Sequence, residues 1–138
     1  MVDALRRAHR MVTKHGTVVD VHPSDVPASM EVGAHAIGHV DAGDAPLRHA
    51  AAEAALKTVV DAGLFEVDAV VSFDFYTYGD TVEELRDYIV ENWRNARIDD
   101  DIVERAKRAL RGAGVGVRPR VLERVRLTTL RPIARIEG

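Results

Sequence analysis

The strongest constraint on this sequence is a change of hydrophobic period within its first two dozen residues. Val2, Leu5, Ala8 and Val12 recur at close to helical spacing, which predicts an amphipathic helix over Val2–Met11 with Arg6, Arg7 and Arg10 in water. Lys14-His15-Gly16 follows as a tight turn, its cations near the negative end of the helix dipole. Thr17-Val18-Val19-Asp20-Val21 is β-branched and nearly continuous, which predicts a short strand buried on both faces and closed by His22-Pro23. A helix, a tight turn and a buried strand in succession belong to the α/β class. A chain of 138 residues has the length of a single domain, read here as residues 1–138.

The rest of the chain continues the alternation. Met30–Val40, interrupted by Gly33 and Gly38, reads as extended, in two short strands. Asp44 is placed to cap a helix that runs through an alanine-rich stretch to Asp61 and stops at Gly63. Asp68–Tyr78 is the longest strand candidate, with Val71, Phe73 and Phe75 on one face and Val70, Ser72, Asp74, Tyr76 and Tyr78 on the other. Thr81 and Glu84 form a capping-box pattern before a helix bearing Val82, Leu85, Tyr88, Ile89 and Trp93. Asp99 is expected to cap a further helix, Ile102 to Leu110, that stops at Gly112. Arg120–Arg131 then alternates, with Val121, Val125 and Leu127 on one face.

Composition removes several classes of function. There are 22 acidic against 19 basic residues, a net charge of −3, so no field draws the chain to nucleic acid or an anionic membrane. The basic residues gather late, from Arg105 to Arg135, as a solvated face. The absence of cysteine excludes disulfides and thiolate chemistry. No apolar run approaches the ~18 residues of a membrane span, and the expected location is cytoplasmic.

In this order, the segments Ala4–Val12, His15–Pro23, Val59–Phe65, Phe73–Tyr78 and Arg120–Arg131 resemble the C-terminal half of a class I S-adenosylmethionine-dependent methyltransferase. They correspond there to the helix before the fifth strand, the glycine turn and fifth strand, the next helix and its Gly-Leu-Phe exit, and the sixth and seventh strands. The resemblance implies a partial Rossmann-like half-domain with a small mixed sheet, ordered fifth-seventh-sixth and packed with helices. It departs from the family at the Gly-rich cofactor loop and at the acidic residue ending the second strand, neither of which has a counterpart. Gly112-Ala113-Gly114-Val115-Gly116 follows a helix and precedes a strand, the wrong context for a nucleotide loop. The resemblance therefore implies no S-adenosylmethionine bound by the chain alone, and binding only if a partner completes the site. The fifth strand also lacks its usual neighbour. The Thr17–Val21 edge is then expected to be covered by the Met30–Val40 excursion, by a second copy in a homodimer, or by a complementing chain.

Candidate substrate-side residues follow from strand ends and faces. His22 and Asp20 lie at the carboxyl end of a strand, where open α/β sheets bind ligands, and a neutral imidazole there can accept a proton. Asp74, Tyr76 and Tyr78 share a strand face that can line a pocket. His35 and His39, in extended chain, lie about 13 Å apart, too far for one ion with ligands at about 2.1 Å, so no metal site is expected. Two functions fit: a self-associating or partner-binding half-domain, inactive alone, or the substrate-side part of a methyltransferase completed by another chain or a longer protein.

Overall fold

The computed structural model describes residues 1–134; Arg135, the last of the late basic residues, lies outside them. The elements run α1 (Val2–Met11), β1 (Val18–Pro23), β2 (Ser29–Val32), β3 (His35–His39), α2 (Ala45–Asp61), β4 (Phe65–Tyr78), α3 (Val82–Asn92), α4 (Asp100–Arg111) and β5 (Pro119–Pro132). The architecture is α/β, with one open sheet of five strands that pair antiparallel. Its order is β1-β5-β2-β3, with β4 also paired to β5.

This order differs from the expected fifth-seventh-sixth arrangement, and the pairing is antiparallel rather than mixed. The difference arises in the excursion after β1. Instead of folding back over β1, it enters the sheet: β2 pairs with β5 from Ser29 opposite Leu122 to Val32 opposite Pro119. β3 then returns along β2, with a register shift between Met30 and Glu31. The hairpin turn is Gly33-Ala34, and both residues have positive φ, 57° and 68°. Left-handed backbone at both positions is what a two-residue hairpin loop needs to match strand twist. Gly38 is needed for a different reason: a β-carbon there would stand 2.8 Å from the Ile102 side chain.

The residues group into two compact units. The first comprises residues 1–23, 47–73 and 125 onward. Its core is Leu5 from α1, Ala55, Leu56 and Val59 from α2, Phe65 and Leu130, with Val2, Val12, Val18, Val60 and Leu64 packed around them. The alanines bring the helix backbone close to the strands, and each fully buried large side chain contributes about 1.5–3 kcal/mol. In this unit β1 runs from Val18 opposite Leu130 to Pro23 opposite Val125. The strand is covered on one face only. Val18 meets the core, while Val19 and Val21 remain 54% and 53% exposed. The continuous apolar run thus misled the sequence reading, because β-branched residues are used on a half-open strand as readily as on a closed one.

The second unit comprises residues 24–46 and 74–124. Met30, Val32 and Val121 from the strands pack with Val82, Leu85 and Ile89 of α3 and with Ile102, Val103 and Ala106 of α4. Thr81 caps α3 as the capping-box pattern predicts, its hydroxyl accepting from the Glu84 amide at 3.1 Å. Asp99 stands at the N-cap position of α4 without a side-chain cap bond. Tyr88, read onto the buried face of α3, is 51% exposed, and Trp93 packs at the margin of the core. Lys107 bridges to Glu83 at 2.5 Å and ties α4 to α3. In β5 this unit buries Pro119 and Val121, whereas the first unit buries Val125, Thr128 and Leu130. Leu127, read as part of the inner face, is only partly buried.

Two stability predictions follow from these environments. Ala34 holds a left-handed conformation that costs a β-carbon-bearing residue about 1–2 kcal/mol, partly offset by the lower chain entropy of alanine. Ala34→Gly is expected to raise stability in urea melts by about 0.5–1 kcal/mol. Glu123, half-buried on β5, has its carboxyl pKa raised above the ordinary 4.5 by desolvation. The folded state therefore holds its proton more tightly, and stability is lost as pH rises from 4.5 through the raised value. Glu123→Gln removes that loss. Its melting temperature is expected to exceed that of the parent at neutral pH and to converge with it below 4.5.

Candidate functional site

Strand alternation places Asp20 and His22 on the same face of β1, the face that also carries Val18. The β1–β5 register sets Thr128 opposite Asp20 and Arg126 opposite His22. Glu53 reaches the same place from α2. Its helix neighbours Ala52, Ala55 and Leu56 are buried, and Glu53 is the only charged side chain between Arg48 and Lys57.

These four side chains form one chain of contacts inside the first unit. His22 Nδ1 donates to Asp20 Oδ2 at 2.5 Å, and His22 Nε2 donates to Glu53 Oε1 at 2.7 Å. The other Glu53 oxygen lies 3.5 Å from Arg126 Nη1. The side chains of His22 and Asp20 are each 10% exposed, against 40% for Glu53. A neutral imidazole has one N–H, so the doubly protonated ring is the form that makes both bonds. The charges then alternate: carboxylate, imidazolium, carboxylate, guanidinium. Breaking such a pair while leaving one buried charge behind costs about 3–5 kcal/mol.

The arrangement fixes what this site can do chemically. Each imidazole nitrogen of His22 is bonded to a carboxylate, Nδ1 to Asp20 and Nε2 to Glu53. The two nitrogens address separate carboxylates, and no group of three potential ligands gathers around one point among the described residues. His35 and His39 stand at the two ends of β3, in extended chain.

Asp74, Tyr76 and Tyr78 belong to the second unit, and a different set of cations engages them. Asp74 pairs with Arg124 at 3.3 Å. The Tyr76 and Tyr78 rings lie 6.2 Å apart; Arg120 stands 4.2 Å over Tyr76 and Arg118 stands 4.9 Å over Tyr78. Arg120 also donates to the Tyr78 hydroxyl at 3.3 Å and to the buried Glu31 at 2.9 Å. Its guanidinium is held charged beyond its ordinary range, by the Tyr78 hydroxyl first and by Glu31 next. Arg118 pairs in turn with Asp80. Each ring thus carries an arginine over its face while remaining well exposed, and both arginines also have a carboxylate partner.

The structure thus joins Asp20 to His22, and Tyr76 to Tyr78, and gives Asp74 its own partner. The sequence reading did not single out Glu53, Arg126, Glu31, Arg118 or Arg120. Glu53 had a local signal, an acid set within a run of alanines. The arginines had none without the register of β5. A separate pocket of about 300 Å³, lined by His9, Arg10, Val12, Lys14, Pro132, Ile133 and Ala134, contains none of the candidate residues. Comparison with family models, with curated proteins and with solved structures finds no match to this chain.

Proposed function

We propose that the chain is a methyltransferase-like half-domain that works by association, completing its sheet on a second copy at the outer edge of β1. The observation that supports this reading is the state of that strand. β1 ends the sheet, bonded on one side to β5, and leaves Val19 and Val21 more than half exposed on a face without charge. Proteins ordinarily blunt such an edge with charged residues, bulges or a covering element, and β1 has only Pro23 at its end. A two-fold copy removes apolar surface and unpaired backbone groups together.

A second reading rests on His22. The partly buried pair of Asp20 and His22, joined to Glu53, suits the substrate side of a methyltransferase whose other half a partner chain supplies. In both readings the chain has no loop with which to hold S-adenosylmethionine alone, and cofactor binding waits on the complement. No helix is long and apolar enough to cross a membrane among the described residues, and neither reading requires a membrane or a nucleic acid.

Sedimentation equilibrium separates these ideas. The parent chain is expected to sediment as a dimer, and Val19→Lys combined with Val21→Lys, both at exposed positions, is expected to return a folded monomer. A parent chain that is monomeric throughout the micromolar range refutes self-association and leaves the complementing chain. Isothermal titration of the purified chain with S-adenosylmethionine is expected to show no saturable heat. One-to-one saturation would mean that the chain builds a cofactor site of its own.

A further inference from the structure

We infer that Nε2 of His22 is a proton-accepting site that Glu53 caps. The inference comes from the inequality of the two carboxylates that share the imidazole, and it does not depend on whether β1 gains a neighbouring strand. When the ring holds two protons, both carboxylates are satisfied. When it holds one, a carboxylate must lose its donor, and the structure decides which one.

Asp20 cannot readily be the loser. Its side chain is 10% exposed and is bonded to His22 Nδ1 at 2.5 Å. Withdrawing the Nδ1 proton would take a short-range donor from a carboxylate that water scarcely reaches, which costs more than the same loss at an exposed carboxylate. Glu53 is in a different position. Its side chain is 40% exposed, it retains Arg126 at 3.5 Å, and water can replace the donor it loses. The single proton therefore stays on Nδ1 against Asp20, and the lone pair appears on Nε2.

The groups that bear on the ring are few. β1 presents Asp20, β5 presents Arg126 opposite His22 in the register, and α2 presents Glu53, with His49 one turn before it on the same helix. In the capped form Nε2 is occupied by Glu53. Once Glu53 turns to Arg126 and solvent, Nε2 can take the proton of a hydroxyl or N–H group placed against it. That proton restores the ring's positive charge beside Asp20, which supplies the compensating negative charge. Asp20 is thus a positioning residue that fixes the tautomer, and Glu53 controls access.

Long-range proton–nitrogen spectra of the full chain labelled at histidine test this from about pH 5 to pH 9. His22→Gln identifies the signals of His22 among the six histidines. The expected result is a ring that loses its proton from Nε2 and keeps the one on Nδ1. In Glu53→Gln the neutral ring is expected to keep its proton on Nδ1, as in the parent, because Asp20 alone sets the tautomer. A neutral ring protonated on Nε2 overturns the inference. So does a ring that stays doubly protonated across the range in both proteins, since Glu53 would then be a fixed strut. If Glu53→Gln fails to fold, the tautomer of the parent chain decides alone.

Discussion

Backbone pairing to β5 is the constraint on which the other strands depend. β1, β2 and β4 all bond to it, and only β3 is held at one remove through β2. A strand of 14 residues is long for a small protein, and its length is what lets β1 and β2 share it end to end. β1 takes residues 125–130 and β2 takes 119–122. Each compact unit therefore contains its own stretch of β5 and packs its own helices against it: α1 and α2 in the first, α3 and α4 in the second. Loss of β5 pairing would remove the hydrogen-bond partners of three strands at once, whereas loss of β3 would free only the hairpin.

The sequence was most legible where structure is local. The Thr81 cap, the Gly63 stop with its φ of 75°, the two short strands after Pro23 and the helices themselves depend on neighbours within a few residues. The sheet order was not legible in the same way. Whether Met30 lies beside β1 or beside Val121 depends on a pairing 91 positions away, and no period in either segment encodes it. The one-sided burial of β1 was hidden for a related reason. Valines at 18, 19 and 21 satisfy a two-faced strand and a one-faced strand equally, and only the position of the helices decides between them.

The candidate site divides along the same line. Asp20 and His22 could be paired from sequence because alternate residues of a strand share a face. Glu53 is 31 positions from His22, and its arrival depends on the helix packing against β1 through Val59 and Leu56. The tyrosines illustrate the converse. Their shared face was visible, but their occupation by Arg118 and Arg120 was not, because those arginines reach them across the second unit's strands. Each ring of the aromatic pair has an arginine over one face.

β1 combines two demands that are usually kept apart. Its inner face carries a buried ionic network, and a buried ionic network is weak evidence for stability, since desolvation consumes much of the Coulombic gain. An apolar pair at Asp20 and His22 would pack against α2 at lower cost. Its outer face carries Val19 and Val21, where lysine or threonine would keep the edge in water at little cost to the strand. Stability alone accounts for neither choice. Both become intelligible if β1 is a working strand, with an inner face that holds a proton and an outer edge that receives another chain.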